Sequence, residues 1–486
     1  MGTSAFRGLG IALSAVSAQQ RTLDVIGHNI SNVNTPGYTR QVLNQTSTRP
    51  ENGSRFGNGV LAQYGMGVDV QEIKSLRDEF LEKKLNREYK ELGYWNNRTQ
   101  GITELENLFN DTSEEGLQTT MDNFWNAWEQ MSKPNGGITA RAMVKENAIA
   151  FIDTVKYMDS TLTNYRRSKD TEIKETVSNI NKMAKKLSEL NKEIQKVELY
   201  GVVASDMRDE RSALITELST QANIRVLYTD DNTCNVSVDG RMLVEHTRYD
   251  EIVAIPDENN AGYCRLTWKS DASSVGITGG SLKSTLEARD TLVKGFRDKI
   301  DELVKGLTTE VNQIHFKGYG VKDGVHRNMF INTSDGTSVG VNLGNIGFNP
   351  DLNDFDNIAA GQNSPPNNAE DNRVALEIST LRQKDVFSTI YETTAGNGKF
   401  TFDEFYRNIV TEIGTLGADA KTTYDSQKIL IDQLEYKRKS LSSVSLDEEL
   451  SNLMRYEHSY NAASRMVNVM DEMLEIIINK TGLGGR

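Results

Sequence analysis

The 486-residue chain has only two cysteines, seven prolines and five histidines, and aromatic residues make up 7% of it. Each scarcity removes a class of explanation. Cys234 and Cys264 show no Cys-x-x-Cys spacing, so a zinc site does not fit, and whether the two pair with each other stays open. The histidines (His28, His246, His315, His326 and His458) are scattered without ligand spacing. The nearest pair, in "HFKGYGVKDGVH", lacks further ligands and the acidic ladder of a calcium loop. No apolar run approaches the roughly 18 residues of a membrane span, so no membrane insertion is expected. A basic segment, apolar core and cleavage site are also missing, so any exit from the cytoplasm is expected to need no cleaved signal.

Basic charge is short as well: 55 Lys and Arg stand against 68 Asp and Glu, a net charge of -13. Nucleic acid needs clustered cations, whereas Arg166-Arg167 and Lys437-Arg438-Lys439 are short runs close to acids, read as solvated helix faces. The glycine-rich "GNGV" and "YGMGV" lack the lysine of a phosphate loop. No serine or cysteine stands in a nucleophile motif. Glu448 and Glu449 are neighbours on one helix, so their carboxylates are expected to splay apart, favouring the helix N-terminus after a Ser445 cap. The expectation is no enzyme, no cofactor and no metal.

What the chain does have is long-range periodicity. Ala5, Leu9, Ala12, Val16, Gln19, Leu23, Ile26 and Ile30 step by fours and threes, and seven of the eight are apolar. At the other end Leu446, Leu453, Tyr460, Val467 and Leu474 recur every seven residues. Glu449, Tyr456, Ala463, Met470 and Ile477 fill the second position, making nine apolar of ten. At 37% hydrophobic content, both are seams of coiled-coil type. One seam alone would be expected to pack on a globular core; two at opposite ends suggest that they pack on each other, with both termini at one end of a rod. The seams are rich in alanine, and Gly8, Gly10 and Gly27 weaken the first helix. The ends are therefore expected to be loose in the monomer and ordered when neighbouring copies bury their remaining faces.

The first seam stops at "GHNISNVNTPGYTRQ" (27–41). Asn29, Asn32 and Asn34 tolerate capping conformations, and Thr35-Pro36-Gly37-Tyr38 suits a type II turn, with proline at its second position and glycine at its third. "YTRQVLNQTS" beyond it reads as extended.

Residues 71–222 read as mostly helical. Ala148, Phe151, Val155, Met158, Leu162 and Tyr165, then Ile173 through Val197, keep helical spacing, and no proline falls between Pro134 and Pro256. One helix of about 60 residues, ~90 Å long at 1.5 Å per residue, is expected in a bundle completed by 281–316 and 401–440. From Ile224 to about residue 278 the period changes, and "CNVSVDGRMLVEH" alternates around Asp239-Gly240, a type I′ hairpin signal. A mean hydropathy of -0.53 favours an elongated, solvated molecule. The fold class expected is mainly α with a β insert (α+β). Terminal coiled-coil segments 1–70 and 441–486 join a helical bundle of 71–222 and 279–440, with a loop-rich segment 318–400 and a small outer β domain at 223–278.

"LSAVSAQQRTLDVIGHNISNVNTPGYTRQ" resembles the N-terminal signature of the bacterial flagellar axial family of rod, hook and hook-associated proteins: small residues, Ala-Gln, Asn-Ile-Ser-Asn, then Gly-Tyr. Arg40-Gln41 is closer to the hook-filament junction branch of that family. "SDMRDERSALITELSTQANIRV" (205–226), "GGSLKSTLEARD" (279–290) and "VSLDEELSNLMRYEHSYNAASRMVNVMDEMLEIII" (444–478) are similar to further segments of that branch, with Ser445 where asparagine is usual. The middle of the chain departs from it. The resemblance implies a structural component of the flagellum that leaves the cell by flagellar type III export and polymerises at the hook tip, forming a ring of copies between hook and filament. The implied partners are the hook protein, a second hook-associated junction protein, and a flagellar export chaperone shielding Leu453, Val467 and Leu474 before secretion. Assembly is expected to rest on Leu9, Val16, Leu23, Ile26 and Ile30 at one end. At the other it rests on Leu446, Leu453, Tyr456, Tyr460, Val467, Met470, Leu474 and Ile477, with Asn29, Asn32, Pro36, Gly37 and Tyr38 as family turn residues. Alternatives are a hook or distal rod protein, or a coiled-coil scaffold or adhesin binding through the β domain.

Overall fold

The computed structural model describes residues 2–35, 37–48, 51–52, 63–109, 116–133, 137–201, 203–365, 371–388 and 399–480. Helix α1 (Gly2–Ser31) packs along α10 (Leu446–Lys480), the last helix among the described residues. Gly8 faces the Met470 side chain and Asn29 meets Glu449, so the two helices run antiparallel. Residues 8 to 29 on one helix match 449 to 470 on the other, a shared length of about 32 Å. The far side of α1 carries an antiparallel ribbon, β1 (Gln41–Ser47) with β4 (Val68–Ser75), which bulges between Asn44 and Gln45 and continues into β2 (Glu51–Asn52) and β3 (Gln63–Tyr64). Ser14 Oγ accepts from the Val68 amide at 3.3 Å and Gln45 donates to Thr22 Oγ1 at 2.8 Å. A second stripe of α1, with small and polar Ser14, Ala18 and Thr22, thus lets the ribbon approach closely.

The body is helical. α2 (Glu79–Phe109) pairs with α9 (Phe402–Ser442), and α3 (Leu117–Ser132) packs on the first half of α4, a single helix over Ile138–Glu198. The 61 residues of α4 form one rod because apolar residues recur at every third or fourth position and no proline interrupts them. Its N-terminal half buries Val144, Ala148, Phe151, Val155 and Leu162 in one core, beside Trp125 and Trp128 of α3. Its C-terminal half buries Ile173, Val177, Ile180, Ala184 and Leu187 in a second core. α5 (Ser205–Gln221) turns back along it.

The second core is completed by strands. β5 (Ile224–Tyr228), β6 (Cys234–Val238), β7 (Arg241–Glu245) and β8 (Arg248–Tyr249) form a four-stranded antiparallel sheet in that order, beside the hairpin of β9 (Ile252–Pro256) and β10 (Cys264–Trp268). At the β6–β7 turn Asp239 has φ 51° and Gly240 φ 80°, the two positive values a type I′ turn requires. Both cysteines are free and buried. The Cys234 amide and thiol donate to Asn191, whereas Cys264 meets Asp170 and Arg289.

The chain then re-enters the body through α6 (Ser281–Glu287), a π-helical turn over Ala288–Leu292, and α7 (Val293–His315). Gly280, at φ 80°, lies so close to the α5 exit that a Cβ there would sit 2.5 Å from the Ala222 nitrogen. In the π turn Arg289 is buried between Asp170 at 2.6 Å and Asp290 at 2.7 Å; burial works to raise the Asp170 pKa, and hydrogen bonds from Lys174, Cys264 and Arg289 outweigh it and hold the group at about 2. A loop-rich stretch follows, with β11 (Phe330–Asn332) paired to β12 (Ile346–Phe348), then α8 (Arg373–Thr380) and β13 (Phe387–Ser388) paired to β14 (Lys399–Phe400).

Candidate functional site

The signature at residues 27–41 lies where the terminal helices meet the body. α1 stops after Ser31, and the chain turns with the Tyr38 amide donating to the Thr35 carbonyl at 3.2 Å. Gly37 takes φ 80°, which a type II turn needs at its third position; Pro36 lies outside the described residues. Asn32 Nδ2 donates back to the His28 carbonyl at 3.0 Å and caps the helix end.

Asn29, buried on the last turn of α1, is the hub. Its Nδ2 donates to the Gln41 carbonyl at 2.9 Å, and its Oδ1 accepts from the Gln41 amide at 3.0 Å. The carboxamide therefore acts as a strand partner to the first residue of β1 and fixes the angle between helix and ribbon. Tyr38 donates its hydroxyl proton to the same Oδ1 at 2.8 Å, which leaves His28 Nδ1, 2.9 Å away, to donate to the phenol oxygen. Burial, with Asp206 and Asp209 nearby, pushes the Tyr38 pKa well above its ordinary value and keeps the proton in place.

Three other elements tie into this point. From α10, Glu449 reaches Arg40 at 2.7 Å and Asn29 at 3.4 Å, and Glu448 reaches the same guanidinium at 2.9 Å. The expectation that these two carboxylates splay apart is thus corrected. With Arg40 coming off the α1 turn, adjacent glutamates converge on its forked donors, and only Glu449 is buried. From the end of α9, the Ser442 carbonyl accepts from the Arg40 amide at 2.9 Å. From α5, Asp209 accepts from the Thr39 amide and from Arg77, each at 2.8 Å, and Asp206 accepts from Gln41 at 2.9 Å. Burial raises the Asp209 pKa against the pull of Arg77 and the Thr39 amide.

The Arg-Asp-x-Arg segment of α5 therefore has three separate duties. Arg208 clamps Glu198 at the end of α4 with two bonds, at 2.8 and 2.7 Å. Asp209 holds the joint, and Arg211 donates to Asn191 at 3.1 Å and to the Asn232 carbonyl at 2.8 Å. The sequence reading named Asn29, Asn32, Gly37 and Tyr38 here; it took Arg40 only as part of the family signature and Glu449 only as a seam and helix-end residue, and gave His28, Asp206 and Asp209 no role at this point. One signal was available: Glu449 is the single polar residue at a C-terminal seam position.

Along the helix pair, Ile26 and Leu474 are buried, and Leu9, Val16, Leu23, Ile30, Leu453, Tyr456, Tyr460, Val467 and Met470 are half-buried. Leu446 is different, at 45% exposed: it opens α10 opposite the point where α1 has already ended. The Ile477 side chain lies outside the described residues. A second set of apolar residues on the pair faces outward, including Phe6, Leu13, Leu450, Met454, Met466, Val469 and Met473. The joint holds carboxylates, guanidinium groups and amides bonded to one another. Among the described residues no group of three or more His, Cys, Asp or Glu is placed to hold a metal ion. Its chemistry is positional.

Comparison with known proteins agrees along the whole chain. Residues 102–330 match the family model of the flagellar hook-associated protein FlgK helical domain. Residues 9–39 match that of the flagella basal body rod protein, and residues 440–480 that of the flagellar basal body rod FlgEFG protein C-terminal. The flagellar hook-associated protein 1 of Bacillus subtilis is 27% identical, with all of both chains covered. Its counterpart in Salmonella typhimurium is 22% identical over 96% of this chain and 98% of the relative. The solved flagellar hook junction protein FlgK from Burkholderia pseudomallei shares the fold, with a TM-score of 0.61 over 75% of this chain and all of that one, at 13% identity. Residues 102–330 thus carry the helical domain of the FlgK family, and the chain as a whole is similar over its full length to flagellar hook-associated protein 1.

Proposed function

We infer that the chain is a structural component of the bacterial flagellum at the junction between hook and filament, and that it works by packing and not by catalysis. The match to hook-associated protein 1 relatives over their full length supports this placement. The observation that carries the mechanism is the half-covered helix pair. α1 and α10 bury one face against each other and leave Phe6, Met454 and Met473 at 50% or more exposed. An apolar face of that length on a rod is satisfied when copies stand side by side in a ring. In this reading the seam residues Leu9, Val16, Leu23, Ile26, Ile30, Leu453, Tyr456, Tyr460, Val467, Met470 and Leu474 hold each pair together, and the outward residues join pairs into a tube. The polar joint around Asn29 sets the angle at which the body leaves that tube, and the β insert lies outside it.

The remaining steps belong to the same proposal. The chain leaves the cell through flagellar type III export and lodges in the extracellular flagellum. There it contacts hook protein on one side and a second hook-associated protein on the other. Before export a chaperone covers the α10 stripe. A different position on the axis, in the hook or distal rod, has one observation in its favour: both ends match rod-protein models.

The test is Leu453→Asp in a strain lacking the native copy. A carboxylate placed in the seam opposes pairing of the helices, so the variant is expected in the culture medium and absent from hook tips. Wild-type amounts on isolated flagella would refute the seam mechanism. Wild-type protein found along the whole hook would instead refute the junction placement.

A further inference from the structure

The four-stranded sheet has two unlike edges. β8 is two residues long, short enough to be blunted. β5 runs for five residues in unbroken register with β6, with neither a bulge nor a proline, the usual guards of a free edge. The Thr229 amide donates to the Thr233 carbonyl at 3.0 Å. Counting back by twos from that pair, Leu227 and Arg225 bond towards β6, whereas Val226 and Tyr228 turn their N–H and C=O groups to the outer edge. Leu227 is 60% exposed beside them.

This edge does not face open water. Two adjoining clefts of about 630 and 550 Å³ run beside it and share Lys83, Asn86 and Val226 in their walls. The opposite wall is α2, where Lys83, Arg87 and Lys90 are spaced by four and three residues and so share one helix face. Arg225 adds a fourth cation from the strand, and both Arg225 and Arg87 line the second cleft. Among the described residues, Arg87 and Lys90 have only their sequence neighbours Glu88 and Glu91 as ion-pair partners, at 3.0 and 2.9 Å. The first cleft mixes Glu79, Glu82 and Asp209 with its cations, whereas Asp239 is the one acidic residue lining the second, and that cationic stretch beside an unpaired strand is unusual on a chain with a net charge of -13.

We propose that β5 and the basic face of α2 form a docking groove for an extended, acidic segment of a partner protein, which adds to the sheet as a fifth strand. Main-chain bonds to Val226 and Tyr228 would hold the backbone. Carboxylates on alternate residues would meet Lys83, Arg87 and Lys90, the mode in which a strand supplies affinity and side chains supply selectivity. A partner fits better than a second copy, because among the described residues the acidic runs are already folded: Asp447–Glu449 in α10, and Asp351, Asp354 and Asp356 in short 3-10 turns.

The test uses the full chain and two fluorescent decapeptides of alternating valine with glutamate or with lysine. Fluorescence anisotropy is expected to show saturable binding of the glutamate peptide only, with protection of the Val226 and Tyr228 amides from hydrogen exchange. Lys83→Glu with Arg87→Glu and Lys90→Glu, all on a helix face, should weaken binding at least tenfold. Val226→Pro removes an outward N–H, a change that edge strands tolerate, and should do the same. Absent binding, equal binding of both peptides, or binding without amide protection overturns the proposal. Concentration-dependent dimers abolished by Val226→Pro would assign the groove to a second copy, and would overturn it too.

Discussion

The ion pair between Arg40 and Glu449 offers the sharpest probe of how the ends are fastened to the body. Glu449 is 2% exposed in its side chain and Arg40 19%, and Arg40 holds Glu449 through both Nε and Nη2, at 2.8 and 2.7 Å. Removing one partner of a buried pair costs about 3–5 kcal/mol, because the other charge stays behind without compensation. Here Glu448, still 2.9 Å from the guanidinium but 63% exposed, offsets part of that loss, so Glu449→Ala is expected to cost about 2–3 kcal/mol at the joint. Arg40→Ala should cost about as much, and the double variant should cost little more than either. That is a coupling energy of at least about 1.5 kcal/mol. Native-state hydrogen exchange reads it locally, since the Thr39 amide is held by Asp209 and the Gln41 amide by Asn29. Those two amides should exchange roughly 30-fold faster in either single variant for a 2 kcal/mol loss, while amides of α4 remain unchanged. Additive single-variant effects, to within about 0.5 kcal/mol, would refute the view that this pair fastens the joint.

Three further outcomes follow from the geometry. Gly280→Ala forces a Cβ onto the Ala222 backbone at positive φ, and should destabilise the second core by about 2–4 kcal/mol, read from the urea midpoint of the β sheet's amides. His315 is fully buried, with Nδ1 donating to the Arg327 carbonyl at 2.7 Å and Nε2 accepting from the Ala359 amide at 3.1 Å. Both bonds fix the neutral ring, and burial lowers its pKa from 6.5 to about 4. Its contribution is therefore intact above about pH 6.5 and is lost as pH falls towards 4, by about 3 kcal/mol at most. His315→Gln should flatten that part of the stability profile measured by urea titration. Asn29→Ala removes the contacts to Gln41, Tyr38 and Glu449 together and leaves Glu449 facing a void, so it should loosen the joint by at least about 2 kcal/mol, with faster exchange at Gln41 as the readout.

What the sequence disclosed follows from what each interaction leaves behind in it. α4 was legible because its packing repeats every third or fourth residue for 61 residues, and a periodic cause leaves a periodic trace. The β6–β7 hairpin was legible because Asp239-Gly240 tolerates the backbone that turn requires. The two terminal helices were legible for the same reason. The joint was not legible in this way. Arg40 and Glu449 are 409 residues apart, and a single long-range polar contact has no period. Glu448 was misread because adjacent carboxylates on an isolated helix do diverge; the turn after α1 brings the Arg40 guanidinium between them. The second stripe on α1, small and polar, hid beneath the apolar one, since Ser14 and Thr22 look like ordinary surface residues until the ribbon lies on them. Leu446 kept the heptad but lost its partner, because α1 ends first.

The central claim is positional, and immunogold electron microscopy on isolated flagella with an antibody to residues 224–278 tests it most directly. The account predicts one discrete band of label between hook and filament. Label spread along the hook, or missing from every part of the flagellum, would contradict it.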